Sequence, residues 1–377
     1  MPLLDDAAVA ERVLSHIRNQ TTDRGDAVWC EPVENYRSQE RFAREIECVL
    51  RRSATPFCPS AALPEAGSYV AREAAGNALL VVRGSDGRVR AFVNACRHRG
   101  TPVARDAGCA KAFVCPYHGW AYRLDGRLHH IPHSEGFPGF DRESHGLVPL
   151  HCEERHGIVF VTQDAEHALP TGDDELPEVI PADQRLLDSR ASELPVNWKI
   201  FLEGFVEGYH IRPAHKETFY PYGFDNLNVV ETCGPHSRVT YPFRRIEKLR
   251  DVPPADRRVE GLLTYVYHLF PNAVVAVLSR HTNLVVLEPL AVDRTRMVAY
   301  TLARCDDDPE SLAEAKRDAE FVNETGAAED RDLVCAIQSS LAGGGNDVFT
   351  FGHYESAIVH FHRQLATALA RCDSRGE

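Results

Sequence analysis

The chain has 377 residues, 44% of them hydrophobic, which is enough to bury a sizeable core and long enough for about two domains. Its 42 basic residues stand against 55 acidic ones, a formal charge of −13 that repels phosphate backbones and anionic membrane surfaces and argues against nucleic acid as a partner. The longest apolar stretches, such as 273–278, fall far short of the roughly 18–20 residues that span a bilayer, and no signal-peptide core opens the chain, so the expected location is the cytoplasm.

In the first 20 residues Leu3, Leu4, Val9, Val13 and Ile17 recur at helical spacing, with Asp5 and Asp6 in the first turn, and an amphipathic helix is expected. From 53 to 164 the pattern changes to short alternating runs at 78–83, 89–94 and 157–162. Turns at Gly76-Asn77, Asp86-Gly87 and Asp125-Gly126 punctuate them, which describes a small all-β domain. Residues 164–190 are rich in Asp, Glu and Pro with little periodicity and read as an exposed connector. Residues 197–211 read as a helix ended by Pro213. Runs rich in Val, Tyr, Thr and Leu at 228–232, 237–241, 262–270, 273–279, 282–290 and 296–303 predict an antiparallel sheet. Asp308-Pro309 starts a further helix, Gly343-Gly344-Gly345 breaks the chain, and 353–370 is helical again. The fold class is α+β.

Eleven cysteines without a secretory signal suit buried thiols or metal ligands better than a disulfide framework. Nine of them, Cys30, Cys48, Cys58, Cys109, Cys152, Cys233, Cys305, Cys335 and Cys372, have no partner at ligand spacing. Cys96 and Cys115 differ. Cys96-x-His98, then 16 residues, then Cys115-x2-His118 offers two thiolates and two imidazoles as pairs. Two histidines replacing two cysteines on one iron of a [2Fe–2S] cluster define a Rieske centre, whose potential of roughly −150 to +300 mV lies well above that of all-cysteine clusters. Arg99-Gly100 and Pro116-Tyr117 with Gly119-Trp120 form short loops that let backbone amides approach the sulfurs. The rival is a structural zinc site, which more often groups like ligands as C-x2-4-C and H-x3-5-H.

A second constellation lies in the segment 197–215. His210 and His215 are five apart, about 140° around a continuous helix, and could not share a metal face unless Pro213 lets His215 turn back. Two histidines and a carboxylate make the facial triad of non-haem Fe(II) oxygenases, and the helix carrying Glu329-Asp330-Arg331-Asp332 and Gln338 is the best source of the acid. Glu207, three residues before His210, projects from the same helical face and can hydrogen-bond its second nitrogen.

These motifs together resemble the α subunits of Rieske non-haem iron aromatic-ring-hydroxylating oxygenases from about residue 53 to the C-terminal helix. The resemblance implies an all-β Rieske domain over 53–164 and a catalytic domain over 165–377 with a helix-grip-like antiparallel sheet, the helical segment 1–52 belonging to the catalytic body. It implies a [2Fe–2S] cluster on Cys96, His98, Cys115 and His118, with Arg99, Tyr117 and Trp120 in the cluster loops. It implies Fe2+ on His210, His215 and Asp330, with Asp332 as fallback. Glu207 is then the bridge to a Rieske histidine, His118, of the neighbouring subunit in a homotrimer. Gly204 departs from the family motif, which usually has asparagine there.

No G-x-G-x-x-G fingerprint follows a strand, so electrons from NAD(P)H are expected through a separate reductase, with or without a ferredoxin. The expected reaction uses O2 to hydroxylate or dealkylate a small, aromatic substrate. Chain length and Glu203 seven residues before His210 look more like monooxygenases and demethylases than ring dihydroxylases. The alternatives are a ring dioxygenase giving a cis-diol, a quaternary-ammonium monooxygenase with an aromatic cage from Tyr209, Phe219, Tyr220 and Tyr222, and a non-catalytic Rieske electron carrier.

Overall fold

The alternating segments of the first half pair into a seven-stranded antiparallel sheet. Its spatial order is Thr55–Pro59, Ile158–Thr162, Pro149–Arg155, Val89–Val93, Asn77–Arg83, Ser68–Ala74, Asp106–Cys109. This is a computed structural model, and it describes residues 2–172, 176–304 and 309–374. Ala75 and Gly76 both take positive φ, the twist a two-residue hairpin turn requires between Ser68–Ala74 and Asn77–Arg83. A small three-stranded sheet, Phe113–Val114, Ala121–Tyr122 and Leu128–His130, packs beside it.

The second half forms another seven-stranded antiparallel sheet, in the order Gln184–Leu194, Arg294–Arg304, Thr282–Ala291, Ala273–Val277, Leu263–Leu269, His236–Pro242, Val229–Cys233. All six strands expected from sequence are present. The edge strand Gln184–Leu194 was not expected, because its polar residues suit a solvent-facing edge and resemble a connector. A second unexpected pairing joins Trp29–Pro32 to Val348–Phe351. The two large sheets meet through Arg72, whose guanidinium pairs with Glu288 and lies over the Phe57 ring, 4.0 Å from its centroid.

Eight helices flank the sheets among the described residues: α1 (Asp6–Asn19), α2 (Glu34–Arg37), α3 (Gln39–Glu45), α4 (Trp198–Phe205), α5 (Ile211–Ala214), α6 (Pro309–Glu324), α7 (Gly326–Ser340) and α8 (Ser356–Asp373). Asp308 lies outside the described residues. Helix α1 places Val9, Ala10, Val13 and Leu14 in the core, as its spacing predicts. Cys48 and Cys372, which sequence spacing left without partners, form a disulfide between the turn after α3 and the end of α8. Local spacing cannot reveal a pairing 324 residues apart. No helix among the described residues is long and apolar enough to cross a membrane.

Helix α4 is buried on nearly every side, and its start is pinned hard. Asn197 caps it, accepting from Lys199 N at 3.0 Å while its amide donates to Tyr36 O and Val292 O. Lys199 Nζ reaches Glu45 at 2.7 and 2.9 Å, both residues fully buried, and Trp198 Nε1 and Arg41 Nε also donate to Glu45. Removing one partner of a buried ion pair strands the other charge at a cost of about 3–5 kcal/mol, and Arg41 can offset part of it here. Lys199→Met is therefore expected to destabilise the fold by about 3 kcal/mol. Chemical denaturation checks this, and an unchanged midpoint would contradict the role given to the pair.

Candidate metal centres

Two loops of matching shape present the first set of ligands. In each, a left-handed glycine closes the turn back onto the cysteine: Gly100 N donates to Cys96 O at 2.8 Å and Gly119 N to Cys115 O at 3.0 Å. The side chains then pair like with like. Cys96 and Cys115 are buried neighbours, while His98 Nδ1 and His118 Nδ1 face each other at 3.0 Å. This fits a binuclear cluster with both thiolates on one iron and both imidazoles on the other. Trp120 stacks on the His98 ring at 4.9 Å and Tyr117 on His118 at 3.8 Å, so both loop aromatics singled out in the sequence touch a candidate ligand. Arg99 lies over exposed Tyr117, 5.4 Å from its ring centre, and donates to its hydroxyl.

Tyr122 is a further contributor. Its hydroxyl accepts from Arg97 N at 2.8 Å and lies 3.2 Å from Cys96 Sγ, where it can donate. Hydrogen bonds to cluster sulfurs are one of the protein's controls over potential. Burial pushes the Cys96 thiol up, and Tyr122 works against that rise.

The second set departs from the expected helix. Helix α4 ends at Phe205 rather than at 211, and Tyr241 Oη donates to the freed carbonyls of Phe205 and Glu207. After a short coil, α5 forms a single turn with His210 at its N-terminal cap and His215 at its C-terminal cap. Pro213 sits inside α5, tolerated because first-turn N–H groups have no helical partner to lose. The two imidazoles thus flank one turn, with ring centres 5.1 Å apart.

Helix α7 brings Asp330 to them, its Oδ1 lying 2.9 Å from His215 Nε2 and 3.6 Å from His210 Nε2. Ligand atoms of His210, His215 and Asp330 all lie within 4.8 Å of one another, and among the described residues they are the one such group of three. Two imidazoles and a carboxylate at this spacing fit a single Fe2+. Asp332 is exposed and outside the group. Gln338 explains its eight-residue spacing from Asp330, because its Oε1 accepts from Asn197 N at 2.8 Å and so ties α7 to the base of α4. Gly204 lies on the cavity wall, where an added Cβ would meet only Val334.

Both imidazoles are held from behind. Glu207, in coil rather than on a helix, pairs with His210 Nδ1 and accepts from His210 N. Glu329 accepts from His215 Nδ1 at 2.8 Å and from Thr218 Oγ1 at 2.7 Å. With each Nδ1 proton committed to a glutamate, each Nε2 faces the metal position. Sequence reading noticed Glu329 only as half of an acidic pair. Phe219, singled out in the sequence only as an aromatic-cage candidate, has its ring 4.9 Å from that of His215 and packs so close to α7 that a Cβ on Gly326 would overlap it.

The triad opens on a cavity of about 1270 Å3. Its sheet wall is mainly aliphatic, with Val266, Val274, Ala276, Val285, Met297 and Ala299, and Phe201 and Phe205 of α4 face it. Of the four cage candidates, Phe219 and Tyr222 line this cavity. Tyr209 is exposed and packs on Tyr354, while Tyr220 lies beneath the guanidinium groups of Arg212 and Arg244.

Both halves of the chain are similar to known proteins. Residues 53–141 match the Rieske [2Fe-2S] domain family, and residues 182–371 match the family of ring hydroxylating alpha subunits (catalytic domain). The carnitine monooxygenase oxygenase subunit of Escherichia coli (strain K12) is 30% identical over 365 residues, covering 90% of this chain and 93% of that one. The biphenyl 2,3-dioxygenase subunit alpha of Rhodococcus jostii (strain RHA1) is 32% identical over 221 residues, 55% of this chain and 48% of that one. A crystal structure of a quaternary ammonium Rieske monooxygenase with an inhibitor superposes with a TM-score of 0.78 at 24% identity, covering 90% and 95% of the two chains.

Burial pulls both His210 and His215 down, but hydrogen bonds and charge from Glu207, Asp330 and Glu329 outweigh it and leave both above the ordinary 6.5. In metal-free protein the protonated pair therefore stabilises the fold fully below pH 6.5, a contribution lost as pH rises through the raised values. Metal must displace those protons. Anaerobic Fe2+ affinity should fall as pH is lowered, by up to about tenfold per pH unit for each proton displaced, with the decline beginning above pH 6.5. Titration calorimetry between pH 6 and 8 measures it, and a flat profile would contradict the assignment of the protonated pair.

Proposed function

This chain belongs to the family of Rieske ring-hydroxylating oxygenase alpha subunits and is the oxygenase component of such a system; on that premise we propose that it inserts one oxygen atom into a C–H bond of a small organic molecule with an apolar body. The observation that carries the reading is the triad of His210, His215 and Asp330 opening directly onto an aliphatic cavity. Insertion of one atom is supported by the carnitine monooxygenase oxygenase subunit, which aligns over 90% of this chain.

Cys96, His98, Cys115 and His118 would hold the [2Fe–2S] cluster, and His210, His215 and Asp330 the mononuclear iron. Together the two groups supply stored electrons and O2 activation, fed by NAD(P)H through a separate reductase. The chain's own contribution is positional. Glu207 and Glu329 keep the Nδ1 protons of the two histidines and so aim each Nε2 at the metal. The aliphatic sheet wall with Phe201 and Phe205 binds the carbon skeleton and excludes water from it. Gln338 sets the height of Asp330 along α7.

A homotrimer would bring the exposed His118 edge of one subunit to Glu207 of the next. Exposed Tyr117 beside His118 and exposed Tyr209 beside Glu207 supply apolar surface for such a contact. A second reading, oxidation of a quaternary ammonium compound, is supported by the carnitine monooxygenase relative, and the two cage candidates that line the cavity, Phe219 and Tyr222, could serve it.

With a compatible reductase, O2 uptake coupled to hydroxylated or demethylated product is expected with apolar aryl and alkyl-aryl substrates and absent in His210→Ala. Turnover confined to trimethylammonium compounds would select the second reading, and an arene cis-diol as the main product would overturn monooxygenation. Co-expressed His118→Ala and His210→Ala chains, each inactive alone, should regain part of the activity in mixed trimers. Failure of properly formed mixed trimers to do so would contradict contact between centres across subunits.

A further inference from the structure

The cavity that opens on the iron triad has a cationic end. From His215 the chain continues through Phe219 to Tyr222 and Phe224, all three on the cavity wall. Arg244 N donates to Tyr222 O at 2.8 Å, and Gly223 and Phe243 form a bridge, so the 222–224 and 243–245 segments lie side by side at the rim. The Arg244 guanidinium sits 5.4 Å from the Tyr220 ring centre and 5.3 Å from that of Phe224. Arg245 lies over Phe243 and donates from Nη2 to Ser279 Oγ at 2.8 Å. Both arginines line the cavity and are exposed at its mouth.

Neither forms an ion pair with a carboxylate among the described residues. The acids on the cavity wall are engaged elsewhere or stand apart. Asp330 meets His210 and His215, Glu207 meets His210, and Asp318 meets His281 at 3.0 Å, while Glu324 is exposed and pairs with neither arginine. Of the other arginines on the wall, Arg190 is paired with Asp188 and Arg331 donates to Asn323 O. A guanidinium stacked on aromatic rings keeps its plane fixed and its N–H fork free, the arrangement that binds a carboxylate through two parallel hydrogen bonds.

We propose that Arg244 and Arg245 are the anion subsite of this cavity and that the substrate is an organic acid, its apolar body toward His210, His215 and Asp330 and its carboxylate at the rim. The proposal rests on the reading of this cavity as the substrate pocket and narrows its substrate class. An acid so held is oriented end to end, which confines oxidation to the carbon presented at the triad.

The test is anaerobic titration calorimetry of the metal-replete enzyme with 4-phenylbutyrate and 1-naphthylacetate, each beside its methyl ester. The acids should bind at least about tenfold more tightly than the esters, with the preference shrinking as salt is added. In the Arg244→Met/Arg245→Met double variant that preference should vanish while ester affinity stays. The single variant Arg245→Gln should lose part of it, and unchanged ester affinity with an unchanged thermal unfolding midpoint would report an intact catalytic domain in each. Esters binding as tightly as acids, an acid preference surviving in the double variant, or no binding of either class would overturn the subsite. Product analysis separates the two readings. Acids held through the arginines but never oxidised would count against the oxygenase pocket alone, whereas esters oxidised with no preference for acids would count against the subsite alone.

Discussion

Lys199 and Glu45 share a charge pair from which water is excluded on both sides, and the geometry of the candidate iron site is referenced to it. The pair fixes the first turn of α4, with Trp198 donating to the same carboxylate and Asn197 closing the cap. From that point two paths lead to the ligands. One runs along α4, through the coil capped by Tyr241, to His210 and His215 at the two ends of α5. The other leaves Asn197 N through Gln338 and runs back along α7 to Asp330. His210, His215 and Asp330, the three candidate ligands, are therefore placed by segments anchored at residues 197–199.

The site then controls protonation with carboxylates that are not themselves in the group of three. Glu207 and Glu329 each accept a hydrogen bond from one Nδ1, so that the two Nε2 atoms converge beside Asp330. Together with Asp330, these carboxylates raise both imidazoles despite burial. Metal occupancy and proton occupancy of this pocket are thus alternatives, coupled through five side chains: Glu207, His210, His215, Glu329 and Asp330. The Rieske loops solve a parallel problem with backbone, each closing on a left-handed glycine so that a thiolate points inward and an imidazole stays near the surface.

Much of this was legible in the sequence because metal chemistry restricts residue types and spacings. The Cys-x-His and Cys-x2-His pairs and the two histidines five apart each carry a constraint that few other folds would impose, whereas Asp330 was singled out through the family resemblance. The strands of the second sheet showed in their β-branched runs. What escaped is what depends on contacts between distant segments. The end of α4 is decided by Tyr241 reaching across from the sheet, so local propensity carried the expected helix six residues too far, to 211. The strand Gln184–Leu194 has the composition of a linker because it is an edge with much of its length exposed. Asp330, Glu329 and Asp332 look alike in sequence, and only the register of α7 against His215 gives the first two different tasks and leaves the third in solvent.

A Rieske cluster and a separate iron triad in one chain would together bind three irons. Iron and acid-labile sulfide in anaerobically purified protein, with electron paramagnetic resonance of the dithionite-reduced sample, measure this. About three irons and two sulfides per chain with a Rieske signal are expected, and in Asp330→Ala about two irons with that signal unchanged. Two irons already in the unsubstituted chain, or zinc without sulfide, would contradict it.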